Sequence, residues 1–245
     1  MRTIDAACQV NCMLWNSAKR NSWKYDWLNP PKPELLPATM AERKGGVPAP
    51  ETHETVSGAD WYGLDISGQI HTRVAFSDLN MTEVENQGAV FTECTFRGTR
   101  FNASIHTDAA FLNCTFTGCT FFNTRFIGCK LVGSMFDRCT FDIMRVTGGN
   151  WSLVGLPGAD LRTAAFSDVR MQEADLTGVR CQGSSLRDVD LSGSWLHSAK
   201  LSRCDLRGSD LSSLEPEDVE LKGAIVTPDQ AITIAAALGL DIRAG

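Results

Sequence analysis

Residues 89–101 run Ala-Val-Phe-Thr-Glu-Cys-Thr-Phe-Arg-Gly-Thr-Arg-Phe, which places Phe91, Phe96 and Phe101 five apart. Stepping outward by five in both directions, the pattern holds without slip from Trp61 to Val226. Its central positions are apolar except at His71, Asn86, His106 and Pro216. Two residues before each central position lies a second one, usually small, as at Ala89, Cys94, Thr99, Cys114, Ala159 and Ser194. A fixed internal period takes precedence over helix or strand assignments, and a period of five fits neither 3.6 nor 2. It suits a chain that turns a corner every five residues, so that four quintets close one square coil. Large central residues and small partners then point inward and the other three point to solvent, with each coil contacting only its neighbours.

The quintets AlaAspLeuArgThr (159–163), AlaAspLeuThrGly (174–178) and CysAspLeuArgGly (204–208) resemble the pentapeptide-repeat family. That resemblance implies an all-β solenoid, a right-handed quadrilateral β-helix of about eight coils. Residues 1–58 form an N-terminal extension, 59–226 the repeat and 227–245 a C-terminal segment. Thr227 as N-cap, Pro228 at the first position and Gln230 as the return partner predict a capped helix there. Gly239 stops it, and Leu240 and Ile242 predict a short strand beyond it.

A net charge of −6 argues against direct nucleic-acid binding through a basic face. No signal peptide or membrane-length apolar run is visible, which makes a cytoplasmic location the expectation. Of nine cysteines, Cys94, Cys114, Cys119, Cys129, Cys139 and Cys204 occupy the small inward site and Cys181 a central one. They read as reduced core filler. Cys8 and Cys12 have no companions that complete a metal set. The four histidines are scattered and no nucleophile elbow, phosphate loop or ligand spacing occurs. The expectation is a non-enzyme without cofactor or metal.

Asn86 and His106 are twenty apart, so they are expected to stack and satisfy each other; the functional alternative is a ligand or proton-transfer site. Central residues shift from Phe (Phe91 to Phe141) to Leu (Leu156 to Leu221), predicting a change of cross-section near Val146 to Leu156. There the bulky Trp151 follows Gly149 and the smaller Val146 follows Met144, trades of volume that a close-packed interior requires. In the extension, a helix is expected over about 5–20. Trp15, Trp23 and Trp27 fold over the first coil or form a partner-binding arm, and 44–55 read as a flexible linker.

Function must then lie on the outside. Outward apolar residues Ile105, Leu112, Phe122, Ile127, Val132, Ile143, Leu153 and Trp195 suggest a contact surface or cover from the extension. Late acids, Asp188, Asp190, Asp205, Asp210, Glu215, Glu217, Asp218 and Glu220, form an acidic end distributed over several faces. The helix residues Ala231, Ile232, Ile234, Ala235 and Leu238 cap the last coil, with spare surface for a two-fold homodimer. The loop-free register and this helix resemble the fluoroquinolone-resistance pentapeptide proteins, the mycobacterial type more than the Qnr type, and immunity proteins of producers of gyrase-targeting antibiotics. The resemblance implies a partner in DNA gyrase or topoisomerase IV, bound by DNA mimicry and protected from poisons; the alternative is a general interaction scaffold. A rod of about 40 Å replaces duplex carrying about 24 phosphate charges. The repeat has 15 Lys and Arg against 21 Asp and Glu, so mimicry is confined to a local patch.

Overall fold

The computed structural model describes residues 51–243. The expected helix over 5–20, the tryptophan cluster and most of the linker lie outside them. The described chain is a parallel β-solenoid closed by one C-terminal helix, Pro228–Ala237. Residues twenty apart face each other in every ladder. The longest runs from Asp65 through Glu85, Ile105, Arg125, Arg145, Ala165, Ser185 and Asp205 to Ile225, eight steps of twenty. We number the four sides by their ladders: the first from Glu54–Ser57, the second from Asp60, the third from Asp65 and the fourth from Ile70–Thr72. The phase also extends back to Val56, which packs on the core, and His53 N donates to Arg73 O. The end of the expected linker is therefore a strand, because Thr55 and Val56 continue the in-phase pattern and pair with Ala75 and Phe76.

What bends the chain is visible in the backbone. Every fifth residue from Gly58 to Gly208 has positive φ, except Thr163. Each of these residues follows a central position by two, so one left-handed residue makes each corner. Gly and short polar residues fill most of these sites, which is the composition that left-handed geometry favours. Ile143, at φ 49°, is the β-branched exception.

The central side chains stack in columns. Phe96 lies on Phe116 at 4.9 Å between ring centroids with 6° between planes, and Phe76, Phe96, Phe116 and Phe136 continue one pile. Piles on adjacent sides meet edge-on, as Phe91 does with Phe96 at 5.6 Å. Offset stacks and edge contacts of this kind each add about 0.5–1.5 kcal/mol beyond area burial. At the expected transition, the fully buried Trp151 packs edge-on to Phe126 and Phe166, the two rings above and below Val146. The indole takes the space that Val146 leaves. Gly149 is required in the same coil: a Cβ there would lie 2.1 Å from the Cys129 carbonyl oxygen.

The helix starts as the sequence predicts. Thr227 Oγ1 accepts from Gln230 N, and Gln230 Oε1 accepts from Thr227 N at 2.8 Å. Gln230 Nε2 also donates to the carbonyls of Leu206 and Ser209, both at 2.7 Å, tying the helix to the final coil. Gly239 is left-handed, as a C-terminal stop demands. Leu240 and Ile242 do not form the expected strand; beyond Ala237 the chain is irregular, since no rung lies beside it to supply backbone partners.

Gly149→Ala pushes a Cβ into fixed backbone and should cost about 3 kcal/mol or more in chemical denaturation. Gly158→Ala, with equal handedness (φ 67°) but nothing within 4 Å of its Cβ, should cost only about 1 kcal/mol.

Candidate functional site

The buried polar pair is a closed unit. Asn86 Nδ2 donates to His106 Nδ1 at 3.0 Å, and Asn86 Oδ1 accepts from Ala89 N at 3.1 Å. Nδ1 is thus the acceptor, and Nε2–H faces Ser104 Oγ at 3.0 Å. Ser104 Oγ in turn donates to the Phe101 carbonyl at 2.5 Å. His106 stacks on Phe126 at 5.0 Å, and burial pushes its pKa down to about 3. Sequence reasoning found Asn86 and His106 but missed Ser104, because the third partner comes from the same quintet and not from the column twenty residues away. A neutral, fully hydrogen-bonded and unexposed imidazole is a core element. His71 is half-buried near the first coil, stacked on Phe91 at 5.0 Å and bonded to Gln69 Oε1 at 2.9 Å. Burial lowers its pKa against the opposing charge of Glu54.

The outward apolar residues do not gather. Phe122 and Ile143 lie on the second side, Ile105 and Ile127 on the third, and Leu112, Val132 and Leu153 on the fourth; Trp195 is on the first. Residues seven, ten or fifteen apart are close in sequence yet fall on different sides of a four-cornered coil. Phe122 is 53% exposed and Ile127 42%, whereas Leu112, Val132, Leu153 and Trp195 are half-buried.

The late acids divide the same way. Asp188 and Asp205 are on the third side, Asp190 and Asp210 face each other on the fourth, and Glu215, Glu217 and Asp218 lie on the first. Asp205 is held by Arg207 at 2.7 and 2.8 Å, and that hydrogen bonding lowers its carboxyl pKa. For Asp190, burial works the other way but is outweighed by hydrogen bonds from Ser192 and Gln172 and by Arg170, so its pKa is also lowered. His197 Nδ1 contacts Asp218 Oδ2 at 3.2 Å.

Two clefts open where ladders lapse, and sequence reasoning marked neither. On the second side, bridges run Asp60–Asn80–Arg100–Thr120–Thr140 and resume Asp160–Arg180–Lys200–Glu220, with no bridge from Thr140 to Asp160. Ile143 N turns instead to Thr163 Oγ1 at 3.1 Å, and Arg145 Nη1 reaches Thr163 O at 3.0 Å. The gap, of about 370 Å³, is bordered by Arg138, Cys139, Phe141, Asp142, Pro157, Asp160 and Arg180. The strained Ile143 corner and the irregular Thr163 corner flank it. An isoleucine at a corner position was the signal available in the sequence. On the first side, bridging ends at Trp195. Pro216 follows, Ser198 N pairs with Asp218 O, and a cleft of about 290 Å³ forms beside Trp195, His197, Glu215 and Asp218.

Among the described residues no group of three His, Cys, Asp or Glu is placed to hold a metal ion, and no helix is long and apolar enough to cross a membrane. On the terminal helix, Ile234 packs on the core and Ala235 is half-buried, whereas Ala231, Ile232 (51%) and Leu238 (50%) are exposed.

Parallel ladders of residues twenty apart, left-handed corners at nearly every fifth residue and stacked central rings define a solenoid of pentapeptide coils. The chain belongs to the pentapeptide-repeat family: the pentapeptide repeat region model matches residues 89–166, and the model for pentapeptide repeats in eight copies matches 156–180 and 174–212. Solved structures with a similar fold include QnrB1, a plasmid-mediated fluoroquinolone resistance protein (16% identity, 79% of this chain and 97% of that one, TM-score 0.38). Another is HetL, involved in heterocyst differentiation regulation in the cyanobacterium Nostoc sp. strain PCC 7120 (18%, 71% and 84%, TM-score 0.31). A third is a pentapeptide repeat protein of the Arabidopsis thaliana thylakoid lumen (15%, 84% and 97%, TM-score 0.20). Values this low carry no functional argument. No curated protein matches.

His106 binds no proton in the folded chain until near pH 3, while the unfolded chain protonates it below about 6.5. The unfolded state therefore gains protons first, and stability falls as pH drops from about 6.5 toward 3, by on the order of 4 kcal/mol at the acid end. His106→Asn should lower stability at pH 7 yet flatten that slope, measured by denaturation at pH 7 and pH 4.

Proposed function

We propose that this chain is a non-enzymatic binding protein whose partner is a type II DNA topoisomerase, DNA gyrase or topoisomerase IV, which it engages by partial DNA mimicry and shields from poisons. The setting would be antibiotic resistance or self-immunity. The observation that supports this reading is the segregation of charge around the coil. The first side carries Glu54, Asp78, Asp137, Asp175, Glu215, Glu217 and Asp218 against Arg97 and Arg138. The second carries Asp60, Glu83, Asp142, Asp160 and Glu220 against Arg100, Arg162, Arg180, Lys200, Arg203 and Lys222. One acidic side about 38 Å long, from eight coil steps of about 4.8 Å between Glu54 and Asp218, fits a basic groove built for a duplex. Its charge density is well below that of DNA, so recognition is local and centred on the end with Glu215, Glu217 and Asp218. Direct nucleic-acid binding is disfavoured by the same field. A general scaffold is the second reading, favoured by Phe122 and Ile143, which stand exposed on adjacent coils of the second side.

We place the homodimer contact on the helix. No charged side chain occurs from Gln230 to Leu240, and Ile232, Leu238 and Leu240 remain half or more exposed. A neutral apolar surface of this kind is complementary to its own copy and to no charged partner.

Purified protein at micromolar concentration should relieve poison-induced inhibition in a gyrase supercoiling assay, and Glu215→Lys/Glu217→Lys should weaken that effect at least tenfold. Absence of any effect on supercoiling or poisoning would leave the scaffold reading. For the dimer, Ile232→Glu/Leu238→Glu should halve the mass seen by light scattering while leaving the circular dichroism spectrum unchanged; a wild-type monomer would refute it.

A further inference from the structure

We infer that Cys119 and Cys139 form a peroxide-oxidisable dithiol on the second side, a modification site entered through the 370 Å³ cleft. The two occupy the same inward position on successive coils: Thr120 bridges Thr140, and Thr140 N donates to Cys119 O at 3.0 Å. Rungs about 4.8 Å apart fall within the Cα separations that disulfides span, and the two thiols sit alike, Cys119 Sγ on the Phe96 carbonyl at 3.4 Å and Cys139 Sγ on the Phe116 carbonyl at 3.5 Å. Closing the bond draws the Cβ atoms together by about 1 Å, from the rung spacing to the separation a disulfide prefers. The coil that carries Cys139 has room for this, because its outer ladder to Asp160 is unmade.

Access sets this pair apart. Cys139 borders the cleft and is half-buried, while Cys94, Cys114, Cys119, Cys129, Cys181 and Cys204 are all buried. Cys94 and Cys114 stand on successive coils in the same way, but both are sealed, so they form an internal control. Within the oxidisable pair, the neighbouring Cys119 lowers the Cys139 pKa, whereas the neighbouring Cys139 and burial raise that of Cys119. The exposed member is therefore the better nucleophile.

The Cys139 thiolate attacks one peroxide oxygen. The O–O bond breaks, the departing hydroxide takes up the thiol proton as water, and Cys139 becomes a sulfenic acid. The Cys119 sulfur then attacks the Cys139 sulfur, the S–O bond breaks, and the oxygen leaves as a second water with the Cys119 proton. Two thiols are oxidised by two electrons and one peroxide is reduced to two waters.

The test uses the full chain with Cys8→Ser/Cys12→Ser, treated with hydrogen peroxide, alkylated under denaturing conditions and digested with trypsin. The expected product links the peptide that ends at Arg125 to the one that begins at Cys139, through Cys119 and reversibly with dithiothreitol. It should exceed any Cys94–Cys114 link at least tenfold. Cys119→Ser should leave Cys139 as a sulfenic acid trapped by dimedone, and Cys139→Ser should leave Cys119 reduced. Equal linkage of Cys94 and Cys114, or oxidation of Cys139 with no link in the parent chain, would overturn the proposal; because the parent chain alone decides this, a variant that fails to fold does not blunt the test.

Discussion

The whole molecule depends on backbone hydrogen bonding between residues twenty apart. In a solenoid each coil is too short to satisfy its own amides, so the next coil must supply the acceptors. The regular series of donors, such as Phe101 N to Thr120 O and Phe121 N to Thr140 O, does so rung after rung. This requirement forces equal coil lengths, and equal coil lengths bring the left-handed corner at every fifth residue from Gly58 to Gly208 except Thr163. Side-chain stacking follows from it: once coils are in register, equivalent rings lie on one another whether or not they attract. The rings then add packing that the ladder alone lacks, as in the pile from Phe76 to Phe136.

The exceptions show how strongly the constraint acts. The polar cluster of Asn86, His106 and Ser104 enters the core with its hydrogen bonds made, whereas Thr99 Oγ1 and Trp151 Nε1 are buried there without a partner. Where a ladder ends, a side chain takes its place, as the Gln230 carboxamide does for Leu206 and Ser209. Where neither occurs, the surface opens, between Thr140 and Asp160 and after Trp195. These interruptions and the uneven charge of the sides are the features that distinguish this rod from a featureless repeat.

Much of this was legible from residue spacing. The phase from Trp61 to Val226, the stacking of Asn86 on His106 and the capping box at Thr227 are all local or strictly periodic signals, and each is present in the fold. The apolar surface was not. Ile105, Leu112 and Phe122 are close in sequence yet lie on three different sides, because a side is selected by position modulo twenty. Ser104 was not joined to the pair because it belongs to the quintet of His106 itself, and the partner was sought twenty residues away in the column.

By itself the amino-acid order determined the coil: a strict period of five with large, small and turn-forming residues in phase admits one kind of closure, since every corner and every inward side chain repeats the same local geometry. Only the tertiary structure decided which surface residues share a side, where Cys139 meets solvent, and which carboxylates are already paired with arginine. Those outcomes depend on how coils register and where a rung fails, and a broken rung between Thr140 and Asp160 is set by packing and corner strain summed over two coils, which no single quintet encodes.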